Sequence, residues 1–217
     1  MQSSLRLDGK TALVTGASSG LGHRFATVLA TAGARVAIAA RRTDRLAELE
    51  RQIAASGGKA AAITMDVTQV ASIAAGVARA EELLGPIDVL VNNSGVVNEQ
   101  RMGRYTEAEY DYVMDTNLKG AFFVAQEVGR RMIEAKRPGR IINIASTAGL
   151  RPFATLGLYG MSKAGLIYMT RSMATEWARH GICVNAMCPG YIKTDFKVSQ
   201  DKEWQAKYLP WLGLKPM

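Results

Sequence analysis

The sequence predicts an α/β fold, a doubly wound parallel sheet with helices on both faces, folded as a single domain. Three observations predict it. Short apolar runs alternate with helix-like segments almost from end to end of the chain. Several runs, such as Val89-Leu90-Val91 and Ile141-Ile142-Asn143-Ile144, are continuous and rich in β-branched residues. The turn after the first run is dense in glycine. Strands that are apolar at every residue suit a sheet covered on both faces, and regular β–α alternation implies parallel strands joined by right-handed crossovers.

Taken in order, strands are expected at Lys10–Thr15, Arg35–Ala40, Ala60–Met65, Ile87–Asn92, Ile141–Ser146 and Gly181–Cys188. Helices are expected near Leu21–Ala32, Thr43–Ser56, Gln69–Leu84, Glu107–Ala135 and Gly157–Arg179. Turn signals such as Ser56-Gly57-Gly58 and Gly85-Pro86 fall where the elements change. No repeat, low-complexity tract or linker divides the 217 residues, of which 48% are hydrophobic. One core suffices for a chain of this size, since cores commonly reach ~250 residues before splitting.

No apolar run approaches the ~20 residues that span a bilayer, and the first residues lack the apolar stretch of a secretory signal. A soluble, cytoplasmic protein with no membrane partner is the expectation. Cys183 and Cys188 fall in one strand, ~16 Å apart, and their odd separation puts the thiols on opposite faces. They cannot form a disulfide, and two cysteines are too few for a cysteine zinc site, so no metal is expected. The net charge of +8 is scattered except at Arg130, Arg131, Lys136, Arg137 and Arg140. That cluster reads first as a solvated helix end and loop, with a docking patch as the alternative. Nothing supplies a recognition helix or an aromatic stacking platform, so nucleic acid is not an expected partner.

The segment Thr15-Gly16-Ala17-Ser18-Ser19-Gly20-Leu21-Gly22 leaves the first strand and opens the first helix. Glycine there lets the backbone turn tightly and lets a phosphate approach the helix N-terminus, where free N–H groups and the dipole attract anions. Gly16, Ser18, Ser19, Gly20, Leu21 and Gly22 are therefore candidate cofactor-binding residues. The spacing, G-x-x-x-G-x-G, differs from the G-x-G-x-x-G of other dinucleotide folds. At the tip of the second strand an NAD site usually places an acid for the ribose hydroxyls. Here the tip reads Ala40-Arg41-Arg42. An arginine fork pairs with the extra phosphate that a carboxylate would repel, so the expected cofactor is NADP(H), held by Arg41 with Arg42 assisting or facing solvent. Asp66, with Val67 beside it, either accepts from the adenine amino group or caps the third helix.

Tyr159 and Lys163 lie four apart in a helical stretch and share a face. A free tyrosine has a pKa near ~10. A neighbouring ammonium and a positive nicotinamide both favour phenolate and would bring it down.

In this order, Thr15–Gly22, Asn92-Asn93-Ser94-Gly95, Asn117, Ser146, Tyr159–Lys163 and Pro189-Gly190-Tyr191-Ile192-Lys193-Thr194 resemble the short-chain dehydrogenase/reductase family. Among its members the 3-oxoacyl-[acyl-carrier-protein] reductases are similar. The resemblance runs from about Leu7 to Thr194. It implies a Rossmann-type sheet and hydride transfer between NADP(H) and a small-molecule ketone or secondary alcohol. It also implies roles. Tyr159 would be the general acid in reduction and the base in oxidation. Lys163 would lower its pKa and hold the nicotinamide ribose. Ser146 would hydrogen-bond the substrate oxygen. Asn117 would bend its helix and hold a water that links Lys163 to a proton relay. Asn93 and Gly95 would line the nucleoside side, and Pro189, Gly190, Ile192 and Thr194 the carboxamide and phosphates. No metal enters the chemical step. A homo-oligomer, dimer or tetramer, is expected if the C-terminal part is present.

Two departures matter. Ser94 stands where the family more often has alanine. Family members also continue into a further helix and a seventh strand, whereas this chain stops at Met217. A fragment or a shortened relative would both read this way, and without those elements the sheet would expose an edge. Residues 191–217, with Trp204, Tyr208 and Trp211 on one helical face, are expected to form a lid over the substrate. Leu150-Arg151-Pro152-Phe153 would form another wall, with Arg151 meeting an anionic substrate or facing solvent. The alternatives to a general ketone–alcohol enzyme are a 3-oxoacyl thioester reductase and a catalytically silent nucleotide-binding relative.

Overall fold

The computed structural model describes residues 6–192 and, beyond them, Ala206 alone. Within them the strands are β1 (Thr11–Thr15), β2 (Arg35–Ala40), β3 (Lys59–Thr64), β4 (Val89–Asn92), β5 (Gly139–Ile144) and β6 (Ile182–Met187). They form one sheet in the order β3-β2-β1-β4-β5-β6, with every neighbouring pair parallel. The helices between them are α1 (Gly20–Thr31), α2 (Thr43–Ala55), α3 (Val70–Leu84), α4 (Glu107–Met114), α5 (Ala121–Glu134) and α6 (Gly157–Trp177). The expected doubly wound sheet is observed.

Side chains alternate across a strand, so the central strands feed two cores. In β1, Ala12 and Val14 join Ala26 of α1 and Leu46, Leu49 and Ile53 of α2. Leu13 points the other way, into a layer with Ile73 and Val77 of α3, Val124 and Val128 of α5 and Leu166 of α6. This double burial is why β1 is apolar or threonine throughout. The outer strand β6 buries Ile182 and Val184 and leaves Cys183 exposed, while Cys188 packs on the α3–α5–α6 core. Both thiols are free, as their spacing required.

The chain runs outward from β1 to β3 and then returns to β4 on the other side of β1. That reversal opens a crevice above the carboxyl ends of β1 and β4, the position where sheets of this kind hold ligands.

Several expectations need correction. The helix expected over Glu107–Ala135 is divided: α4 ends at Met114, a π-helical stretch occupies Asp115–Gly120, and α5 comes after it. The cause is tertiary, because Asn117 is fully buried and its amide bonds outside the helix. Asp66 does not cap α3, whose N-cap is Gln69. Its Oδ1 instead accepts from the Thr68 N–H (3.0 Å) and hydroxyl (2.8 Å), an Asx turn. β5 ends at Ile144 rather than Ser146, and β6 at Met187 rather than Cys188. Thr194, the aromatic face of Trp204, Tyr208 and Trp211, the rest of the expected lid after Ile192, and any further helix or strand lie outside the described residues.

The basic cluster is a helix end and loop. Arg130 pairs with Glu127 and Glu134, Arg131 with Glu127 and Glu81, and Arg137 with Asp88. So much neutralisation does not support the docking-patch alternative. Among the described residues, no helix is long and apolar enough to cross a membrane.

Asp88 ties the amino ends of three strands together. Its carboxylate accepts from the Thr11 N–H of β1 (2.9 Å) and from Arg137 (2.7 Å), just before β5. Asp88→Ala should lower the unfolding free energy by about 2–4 kcal/mol, because a part-buried N–H and an arginine lose their partner. Asp88→Asn still accepts from Thr11 and should lose less. Urea unfolding reads both; an unmoved midpoint for the alanine variant would contradict this role.

Candidate active site

A cleft of about 580 Å³ opens above the carboxyl ends of the central strands, within the ~300–1,000 Å³ usual for cofactor sites. The loop after β1 forms its floor. Gly16 has φ 66°, and a Cβ there would lie 2.9 Å from Ser94 Cα, so only glycine lets this turn sit against the chain leaving β4. Gly22 is buried beneath the loop, where a Cβ would lie 2.3 Å from the Gly16 carbonyl oxygen. Its part is to let α1 pack, not to line the cleft.

α1 starts at Gly20 behind Ser19, whose side chain makes no capping bond, and its first turn holds no acid. The first N–H groups and the positive end of the helix dipole are therefore available to an anion. Arg42 bridges the loop: its guanidinium donates to the Ser18 hydroxyl (2.9 and 3.1 Å) and to the Ser19 hydroxyl (2.7 Å). Arg41 lines the same end with Asp66 and Val67. Partial burial pushes the Asp66 carboxyl up, but the Thr68 bonds and the Arg41 charge outweigh it and hold the group below its ordinary value. Phosphates at the α1 terminus and an adenosine phosphate at the arginines fit these donors.

Thr15 joins the two sides of the crevice. Its hydroxyl accepts from the Asn93 and Ser94 N–H groups (3.0 and 3.1 Å), while Asn93 Nδ2 donates to the Thr15 carbonyl (3.0 Å). Asn93 and Gly95 line the cleft.

At the other end, Ser146 lies just past β5 with extended backbone, and its Oγ accepts from the Ala148 N–H (3.1 Å). Ser146 and Tyr159 border the cleft together, and the serine favours the ionised form of the phenol. Lys163, one helical turn beyond Tyr159, is 3% exposed. Its Nζ donates to the Ile144 carbonyl (2.8 Å) and sits 5.7 Å from the centroid of the Tyr159 ring. Burial lowers the Lys163 pKa to about 8, with the nearby Cys188 acting the other way. Burial raises Tyr159, and Ser146 offsets only part of that rise. Loss of water around the phenolate is the larger effect, and Lys163 is not among the groups that act on the phenol here.

Asn117 lies under the cleft and does not line it. Its Oδ1 accepts from the Val96 N–H (2.7 Å), and its Nδ2 donates to the Val96 carbonyl (2.8 Å) and the Ser162 hydroxyl (3.1 Å). Ser162 in turn donates to the Tyr159 carbonyl (2.7 Å). The expected bend at Asn117 is present as the π turn.

Gly16, Ser18, Ser19, Gly20, Leu21, Arg41, Arg42, Asp66, Val67, Asn93, Gly95, Ser146, Tyr159, Lys163, Pro189, Gly190 and Ile192 all border this one cleft. Of the expected second wall, Arg151 and Phe153 border it, with the guanidinium 5.1 Å over the ring; Leu150 is 63% exposed. Thr15, Ser162 and the Val96 backbone escaped sequence reasoning. The only signal for Ser162 was its position between Tyr159 and Lys163, and backbone partners leave none.

A parallel sheet whose reversal faces an open helix terminus, with a Ser–Tyr–Lys cluster in the same cleft, defines the dinucleotide-binding class of α/β oxidoreductases. The chain belongs to the short chain dehydrogenase family, whose model matches residues 10–205. It is 40% identical to galactitol 2-dehydrogenase of Agrobacterium fabrum over 215 residues, 98% of this chain and 80% of that protein. Among solved structures, a short-chain type dehydrogenase/reductase from Mycobacterium marinum superposes with a TM-score of 0.92 at 39% identity, covering 97% of this chain and 84% of that one. A gluconate 5-dehydrogenase from Burkholderia cenocepacia, solved with NADP and tartrate, gives 0.87 at 34% identity, covering 93% and 79%.

The Lys163 shift has a consequence for stability. Below about pH 8 the amine is charged folded and unfolded alike, and its burial cost is fully present. Above about 8 the folded protein releases the proton while the unfolded chain keeps it to 10.5, so the cost fades as pH rises. Wild type should therefore gain up to about 3 kcal/mol relative to Lys163→Met between pH 8 and 10.5. A difference between the two unfolding free energies that stays flat across that window would contradict the buried charge.

Proposed function

We propose that this protein is an NADP(H)-dependent oxidoreductase that interconverts a secondary alcohol and a ketone, with Tyr159 as the proton donor and acceptor. The observation that carries the reading is that Ser146, Tyr159 and the buried Lys163, whose amine donates to the Ile144 carbonyl and lies 5.7 Å from the centre of the phenol ring, border the same cleft as the open terminus of α1. Bound there, NADP(H) supplies or accepts the hydride.

In reduction, Tyr159 transfers its phenolic proton to the carbonyl oxygen as the alcohol O–H bond forms; in oxidation it takes that proton back. Ser146 donates a hydrogen bond to the same oxygen, where negative charge develops. Lys163 would hold the ribose hydroxyls and, with the positive charge an oxidised nicotinamide would bring, would stabilise the phenolate that burial alone disfavours. Asn117 fixes the chain after β4 to the start of α6. Asn93 and Gly95 would flank the nucleoside, and Pro189, Gly190 and Ile192 the carboxamide, since all five line the cleft.

Arg41 and Arg42 support NADP(H) over NAD(H). No acid stands at the tip of β2, and Arg42 already bridges the serines of the phosphate loop. The names of the relatives support a polyol or sugar acid as the alcohol. A homo-oligomer is supported by the groove between α5 and α6, lined by Phe122, Phe123, Tyr168, Met169 and Trp177, where Phe122 is 39% and Tyr168 71% exposed. The free thiols suit the cytoplasm.

The test is turnover of NADP⁺ with galactitol and gluconate, and of NADPH with a 3-oxoacyl thioester. Tyr159→Phe should lower kcat/KM by ~10²–10⁴-fold while NADPH affinity holds; a loss of only a few-fold would assign the proton to another group. Arg41→Ala should weaken NADPH by ~10-fold or more, the effect of a charge-assisted bond, and leave NADH nearly untouched. Equal losses would exclude selection by this arginine.

A further inference from the structure

Two chain segments form the side of the cleft beyond Tyr159. The one leaving β4 contributes Val96 and Val97, and the one leaving β5 contributes Phe153 and Leu156. They are stitched to each other away from the sheet. The Gln100 N–H donates to the Thr155 carbonyl (2.9 Å), and Gln100 and Leu156 form an isolated parallel bridge. The Tyr105 hydroxyl lies 3.3 Å from both the Asn98 and the Thr155 carbonyl oxygens. Asn98 is anchored in its turn, through Nδ2, to Glu109 (2.9 Å), which belongs to the capping box of α4.

The residue on which these bonds converge is strained. Thr155 has φ 65°, a left-handed conformation that a β-branched residue rarely adopts and that costs ~1–3 kcal/mol. Such a conformation persists only where its surroundings impose it. Thr155 immediately precedes Leu156, the N-cap of α6, on the helix that carries Tyr159. A change at Thr155 therefore moves Phe153 and Leu156 relative to the catalytic phenol.

We propose that Tyr105 is a positioning residue for the substrate: its hydroxyl latches the two wall segments and holds Thr155 in its left-handed state. The latch sets the surface against which the alcohol or ketone lies in front of Tyr159. This rests on the reading of the cleft as a ketone–alcohol site. Tyr105 touches neither substrate nor cofactor in this scheme; it acts through Leu156 and Phe153. Without the hydroxyl, Thr155 relaxes to negative φ and the wall shifts.

The experiment compares wild type, Tyr105→Phe, Thr155→Gly and the double variant as full chains with NADP⁺ and either galactitol or gluconate. Tyr105→Phe keeps the ring and should raise the KM of the alcohol about fivefold, the effect of one hydrogen bond, with kcat and the KM of NADP⁺ nearly unchanged. Thr155→Gly should behave like wild type, since glycine takes positive φ freely. For the same reason the double variant should recover most of the loss. An unmoved alcohol KM in Tyr105→Phe, an equal rise in both KM values, or a double variant no better than Tyr105→Phe would each overturn the latch. Amide exchange of segments 96–105 and 150–157 reads the latch without turnover: both should speed up in Tyr105→Phe, and an unchanged rate in either overturns it. A wild type inactive on every substrate would count against the reading of the cleft, and exchange alone would then decide the latch.

Discussion

Holding the Lys163 amine inside the protein constrains nearly everything around the cleft. A buried ammonium must have an acceptor, and here the acceptor comes from the sheet. Pairing of β5 with β6 runs to Ile144 opposite Met187, and the Ile144 carbonyl at that end takes the bond from Nζ. The turn after β5 is then pressed onto α6: a Cβ at Gly149 would lie 2.7 Å from the Lys163 carbonyl carbon. That contact sets Ser146 beside the helix that carries Tyr159. A second bond, from Asn143 Nδ2 of β5 to the Thr170 hydroxyl of α6 (2.9 Å), holds the same two elements together, so strand and helix present Ser146 and Tyr159 to one cleft.

The parallel sheet separates stability from chemistry by its direction. At the amino ends of β1, β4 and β5, Asp88 collects a backbone N–H and two cations, and Arg140 donates to the Gly139 and Gly181 carbonyls. Polar groups there satisfy one another. At the carboxyl ends the accounting is left open: the first turn of α1 has no side-chain cap, and burial disfavours the charged form of both the Tyr159 phenol and the Lys163 amine. Groups held in that condition favour a charged ligand that relieves them, and such groups cluster at functional sites.

The sequence made the central strands legible because β1, β2 and β4 are buried on both faces, and burial leaves a continuous apolar run. The cleft was legible for the same directional reason, since the candidate residues come after the strands at one end of the sheet. The features that stayed hidden depend on partners distant in the chain or on backbone atoms. Helical periodicity runs unbroken through Asp115–Gly120, and only the family resemblance, through Asn117, marked a bend there. Asp66 precedes a helix closely enough to look like its cap, and only the Thr68 contacts show otherwise. The Tyr159–Lys163 spacing put both on one face, but whether the amine or the loss of water governs the phenol depends on burial, which spacing does not carry.

The π turn links the wall of the cleft to the catalytic helix. One added residue in a helical turn rotates the remainder of the helix by ~100°, and π turns of this kind recur at functional sites. Here the added residue lets Asn117 face the chain after β4 while α5 continues in its packed orientation. The side chain it needs is specific. Val96 presents an N–H and a carbonyl together, so its partner must accept and donate at once. A carboxylate cannot donate to that carbonyl, and an aliphatic side chain would leave two buried backbone groups unpaired. The second proton of the amide goes to Ser162, and through it to the Tyr159 carbonyl. Val96, α5 and the first turn of α6 are thereby held as one body, so the wall and the phenol keep their distance when either is pushed.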